Sequence, residues 1–235
     1  MFIHVRAPLG TRIEETAFTV AQVENAIRRA IPPSELDTIV DNIGLPFSGI
    51  NNAYSKTGTI GPQDGDIQIT LKEGHRPTAG YVKLLRERLP REFQGTTFAF
   101  LPADIISQIL NFGAPAPIDL QIVGPKEDDN YRYAKSLLRK IQQVPGIADA
   151  RIQQSNAYPT FKVNVDRTLS EEVGITERDV TNSLVVNLAG SGQVAPAFWL
   201  NPKTGVSYPI VAQTPQYRLD SLSDMKNLQI TSSGG

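Results

Sequence analysis

Few side chains in this sequence could do chemistry, and their spacing argues against most of it. His4 and His75 are the only imidazoles. Neither belongs to an HExxH pattern, so the spacing of a zinc hydrolase is missing. His4 falls in a predicted strand and His75 in a predicted turn, and both read as surface or packing residues. There is no cysteine, which removes disulfides, thiolate metal sites and thiol nucleophiles. No GxSxG elbow presents a serine nucleophile. The glycines make neither GxGxxG nor a Walker A loop, so nothing cradles a nucleotide. Glu127, Asp128 and Asp129 are the densest acidic run. They sit where a helix should start, where carboxylates complement the helix dipole; a divalent-cation site is the alternative. No enzyme activity, cofactor or resident metal is expected.

The charge balance narrows partners. Lys and Arg total 23 against 24 Asp and Glu, a formal net of −1. A general nucleic-acid binder carries a basic surplus, so nucleic acid is not expected. Met1 and Met225 are the only methionines, which disfavours soft-metal chemistry. No apolar stretch reaches the roughly 20 residues of a membrane span. The amino terminus lacks the cationic and apolar regions of a signal peptide.

Periodicity supplies the elements that must position any site. Residues 2–6 alternate as a strand, with Ile3 and Val5 on one face. Thr11 and Glu14 suggest a capping box before a helix that carries Ile13, Val20, Val23 and Ile27 and stops at Pro32. Strands are predicted over 37–43, 66–71 and 96–101. A second helix from Thr78 carries Tyr81, Leu84, Leu85 and Leu89. The order strand-helix-strand, strand-helix-strand is the split βαβ, ferredoxin-like arrangement.

Between the second and third strands runs a loop, 44–64, longer than the usual limit of about 15 residues. It holds Leu45, Phe47, Ile50 and Tyr54. Either these fold onto the domain or they form an apolar flap over a cleft. Phe98 and Phe100 are core by default, with an interdomain cleft as the alternative. A short helix is expected over 102–111. Residues 112–117, with Gly113, Pro115 and Pro117, read as a linker.

The pattern then restarts. Strands are expected over 118–123, 148–153 and 161–165, and helices over 128–143 and from Thr176, capped with Asp179. A hairpin should join 198–200 to 206–211. The second βαβ unit is not closed by a final helix and strand. The fold class is therefore α+β, with tandem ferredoxin-like units.

The order of motifs resembles resistance-nodulation-division (RND) efflux permeases, in the periplasmic part of their C-terminal half. The carrying residues are 5–16 (VRAPLGTRIEET), 41–49 (DNIGLPFSG), 70–72 (TLK), 161–166 (FKVNVD) and 174–180 (GITERDV). The resemblance spans essentially the whole chain. It implies a first porter subdomain over 1–112, the opening half of a second over 117–158, and part of a docking subdomain over 159–235. It implies a switch loop at Gly44, Pro46, Ser48 and Gly49. Substrate contacts fall at Leu45, Phe47, Gln68, Phe98 and Phe100, with a hinge at Gly113, Pro115 and Pro117. The implied parent is a proton-driven homotrimer of the bacterial inner membrane, facing the periplasm. It works with a periplasmic adaptor (membrane fusion) protein and an outer-membrane channel.

The expected cargo is small hydrophobic or amphiphilic compounds of the multidrug type, since non-directional apolar contacts tolerate many ligands. A heavy-metal pump of the zinc or cobalt type is the alternative; the methionine positions disfavour copper or silver. A stand-alone ferredoxin-like binding module and a small ferredoxin-like hydrolase are further readings. No compact Arg and Asn constellation supports the hydrolase.

Overall fold

The structure is a computed structural model that describes residues 1–45, 59, 61–101, 116–155 and 159–232. Elements are numbered here over those residues. The chain divides into two compact units, Met1–Thr160 and Phe161–Gly235.

The first unit opens with β1 (Phe2–Arg6), α1 (Ile13–Ala30), β2 (Leu36–Ile43), β3 (Asp64–Leu71), α2 (Thr78–Glu92) and β4 (Thr97–Leu101). The sheet order is β2-β3-β1-β4, and every neighbouring pair is antiparallel. This is the predicted split βαβ plan, and the α+β class holds. Two-residue periodicity divides the sheet into two unlike faces. Ile3, Val5, Ile67, Ile69 and Phe98 join Val20, Val23 and Ile27 of α1 and Leu85 and Leu89 of α2 in one apolar core. Each such aliphatic side chain contributes roughly 1.5–3 kcal/mol through burial.

Helix α1 departs from the expected start. Its N-cap is Arg12, with no side-chain cap. The Thr11 hydroxyl instead donates to the Pro8 carbonyl at 2.6 Å. The helix thus starts one residue later than expected, with Thr11 before the N-cap position, and the Thr11–Glu14 capping box does not form.

Three predicted strands are also absent. Residues 118–123, 148–153 and 161–165 carry no ladder. Alternation makes a segment competent for a sheet, but a strand exists only when another edge satisfies its backbone groups. Helix α3 (Glu127–Ile141) forms with Glu127, Asp128 and Asp129 in its first turn. The predicted short helix over 102–111 and residues 112–115 of the linker lie outside the described residues.

The second unit contains α4 (Arg167–Glu172), α5 (Glu177–Ala189), a hairpin of β5 (Ala197–Leu200) and β6 (Ser207–Ile210), and α6 (Leu222–Lys226). Helix α5 begins with the predicted box: Thr176 Oγ1 accepts from the Asp179 amide, and the Asp179 carboxylate accepts from the Thr176 amide. Among the described residues, no helix is long and apolar enough to cross a membrane.

Candidate functional site

The sheet face away from the helices is polar, and the register explains why. His4 stands opposite Asp66, and Arg6 opposite Asp64. All four occupy the even positions of β1 and β3, where the odd positions are apolar core. This face is nevertheless buried: His4 is 1% exposed, Asp64 0% and Asp66 2%. Buried charges must be paired, and these are. His4 Nδ1 lies 2.8 Å from Asp66 Oδ1, and its Nε2 lies 3.6 Å from Asp64 Oδ1. Arg6 donates from Nε to Asp64 Oδ1 at 2.6 Å and from Nη2 to Oδ2 at 3.3 Å.

A strap, residues 149–155, runs over this region and is fastened by polar groups. Arg6 Nη1 donates to the carbonyls of Ile152 and Gln153, both at 3.1 Å. Asp149 accepts from Arg86 Nε at 2.9 Å and Nη2 at 2.7 Å, and from the Phe100 amide at 3.1 Å. Asp149 is the one non-glycine with positive φ among the described residues, at 58°. Aspartate tolerates this left-handed backbone better than most residues. From the strap, Arg151 faces Asp64 and Asp66. Burial pushes its guanidinium down from the usual arginine range, and the Arg6 charge acts in the same direction.

The trio His4, Asp64 and Asp66 is not a chelate. The imidazole stands between the carboxylates and turns one nitrogen toward each, whereas a metal site needs donors converging on one point. Among the described residues no group of three His, Cys, Asp or Glu side chains is disposed to hold a metal ion.

The sequence-predicted contact residues do not share one face. Phe98 and Phe100 turn toward the helix layer. Phe98 is 7% exposed within the core, and the Arg86 guanidinium lies over the Phe100 ring at 5.1 Å. Gln68 is exposed on the opposite face, paired with Phe2 and Val40. Leu45, just past β2, is 60% exposed. Gly44 is buried with φ of +77°, and a Cβ there would meet Ile13 Cδ1 at 2.8 Å. Phe47, Pro46, Ser48, Gly49, Gly113 and Pro115 lie outside the described residues, while Pro117 lies within them.

Sequence reasoning missed His4, Asp64, Asp66, Asp149 and Arg86 as a connected set. A signal for part of it was present: charged residues at alternate positions in two strands of one sheet. Asp149 and Arg86 left none, because their meeting depends on the tertiary path of the strap.

Comparison with known proteins supplies the wider frame. The nickel-cobalt-cadmium resistance protein NccA of Alcaligenes xylosoxydans xylosoxydans is 24% identical over 174 residues, covering 68% of this chain and 16% of NccA. The nickel and cobalt resistance protein CnrA of Cupriavidus metallidurans is 22% identical over 174 residues, with the same coverage of 68% and 16%. The cobalt-zinc-cadmium resistance protein CzcA of Cupriavidus metallidurans is 22% identical over 166 residues, covering 65% and 16%. The chain therefore matches about a sixth of the length of these curated relatives.

Two crystal forms of a heavy metal efflux pump share the fold over 100% of this chain. Form II has a TM-score of 0.71 at 21% identity and form I 0.73 at 20%, covering 23% and 24% of the pump chain. The model of the AcrB/AcrD/AcrF family matches residues 1–235. With a split βαβ sheet in its first unit and a family match running from the first residue to the last, this chain belongs to the AcrB/AcrD/AcrF family of RND permeases.

Proposed function

We propose that this chain is the porter and docking segment of a proton-driven RND exporter whose cargo is a divalent metal cation. The reading reverses the order of the two cargo expectations drawn from the sequence. The observation that carries it is that curated relatives matching about two thirds of the chain are nickel, cobalt, cadmium and zinc resistance proteins. Geometry supports it: Phe98 and Phe100, the aromatics expected to floor an apolar pocket, are turned to the helix layer and contribute to packing there. Less apolar surface is then left to hold a lipophilic compound.

In this reading the parent is a homotrimer in the inner membrane with this segment on the periplasmic side. It couples to an adaptor protein and an outer-membrane channel. Gly44, Pro46, Ser48 and Gly49 form the switch loop, and Leu45, Phe47 and Gln68 border the cargo path. Gly113, Pro115 and Pro117 are the hinge. Proton transfer belongs to charged residues within membrane helices, and no described helix of this chain is one.

The test is growth of a Gram-negative host stripped of its own metal and drug exporters and expressing the full-length parent pump. Raised tolerance to nickel, cobalt, zinc or cadmium, with unchanged sensitivity to lipophilic dyes and detergents, supports the reading. The opposite pattern restores hydrophobic cargo.

A further inference from the structure

Two strands and the strap bring three buried nitrogens to one region, and none of the three is bonded within the protein. Asn42 of β2 and His4 of β1 both stand opposite Asp66 of β3. Directly paired residues share a sheet face, so these three form one row across the polar face. From the strap, the Arg151 guanidinium faces Asp66 and Asp64. Asn42 Nδ2, His4 Nε2 and Arg151 Nε are each buried with no hydrogen-bond partner. Further along the strap, the Ser155 hydroxyl is buried in the same condition. A buried polar group left unbonded is costly, and most such groups in folded proteins are bonded either to protein or to ordered water.

Arg151 shows the spacing involved. It makes neither a direct hydrogen bond nor an ion pair with any described residue, although two carboxylates lie before it. His4 Nε2 likewise stands 3.6 Å from Asp64 Oδ1, too far for a direct hydrogen bond. Polar groups set apart by such distances are the ones that water bridges.

The mixed chemistry of the region selects its occupant. A cation would meet the N–H groups of Asn42 and Arg151. An anion would meet Asp64 and Asp66. A water molecule accepts from an N–H and donates to a carboxylate, so it suits both. The state of His4 does not enter, because Nε2 can donate to water or accept from it.

We propose that the seam between the strap and the polar sheet face is a binding site for ordered water, whose molecules bridge Arg151 and Asn42 to the carboxylates of Asp64 and Asp66. Direct bonds fasten the strap on either side of Arg151. Asp149 holds Arg86, and Arg6 holds the carbonyls of Ile152 and Gln153. Between these anchors, water carries the contact. The Arg151 charge keeps part of its hydration under the strap, which lowers the cost of burying it. The site is built within one unit and does not depend on the cargo assigned above.

A crystal structure of the 235-residue chain, at a resolution that defines bound water, tests the site directly. The expected result is water within hydrogen-bond distance of Arg151 Nε and Asn42 Nδ2, and of Asp64 or Asp66. A guanidinium bonded directly to either carboxylate, a dry seam, or an ion in place of the water overturns the proposal.

Oxygen-17 magnetic relaxation dispersion tests it in solution, because it counts waters that stay bound while the protein tumbles. Asn42→Leu combined with Arg151→Met removes the N–H groups and keeps apolar bulk. The expected result is a dispersion amplitude smaller by about one long-lived water or more. Where the double variant does not keep the parent's far-ultraviolet circular dichroism, Asn42→Leu alone is compared, with a fall again expected. An unchanged amplitude in a variant that keeps that spectrum overturns the proposal.

Discussion

Arg86 on α2 holds the carboxylate of Asp149 through two hydrogen bonds, at 2.9 and 2.7 Å, across 63 residues of sequence. The same carboxylate accepts from the Phe100 amide on β4. One strap residue thus ties together a helix and a sheet edge. Asp149→Ala should destabilise the first unit by about 1–3 kcal/mol, because the Phe100 amide loses its acceptor and Arg86 its partner. Asp149→Asn should cost less, since it keeps an acceptor and tolerates a positive φ. Arg86→Ala should also cost less, because that guanidinium is partly in water. Urea unfolding followed by far-ultraviolet circular dichroism checks the ranking.

Glu35 gives an acid-dependent prediction. The Tyr81 hydroxyl, donating at 2.6 Å, holds its carboxyl below the ordinary value of 4.5, helped by the Arg76 amide and guanidinium. A carboxyl that binds protons less tightly when folded contributes stability above its unfolded value. That contribution is lost as pH falls through the folded value. Stability should therefore drop as pH is lowered below about 4.5. Tyr81→Phe removes the largest cause, so this acid limb should shrink. Urea midpoints between pH 7 and 3 in the two chains measure it.

The capping box of α5 belongs to the second unit. Thr176→Ala should cost about 0.5–2 kcal/mol and Thr176→Ser much less. Trp199 is the only tryptophan and lies in the same unit, its ring 5.8 Å from Tyr208. Its fluorescence should report the lower unfolding midpoint of the second unit.

Gly44 serves the backbone as well as the loop. Gly44→Ala should cost more than about 1 kcal/mol, because its φ is +77° and an L side chain resists that region. The clash with Ile13 adds to the cost. Adding Ile13→Ala should recover only the clash component, leaving the backbone component in the urea midpoint.

Local signals were legible where one segment alone decides the outcome. The Thr176–Asp179 cap and the β5–β6 hairpin formed as read. The first sheet was also legible, because each of its strands has a regular apolar face that only one side of a helix layer can cover. Reading failed where a segment needs a partner. Residues 118–123 and 148–153 alternate but pair with no edge among the described residues. Thr11 fell one residue short of the cap, because the turn closed on the Pro8 carbonyl leaves Arg12 at the N-cap position.

The sequence by itself determined the order of elements in the first sheet and its split βαβ plan, because these follow from periodicity and punctuation along the chain, and its motifs carried the resemblance to the family. Only the tertiary structure decided that His4 is enclosed by two carboxylates and that Asp149 meets Arg86. Both are long-range meetings. The first depends on the register between β1 and β3, and the second on the path of the strap over the first unit. Neither quantity is written in any local stretch of residues.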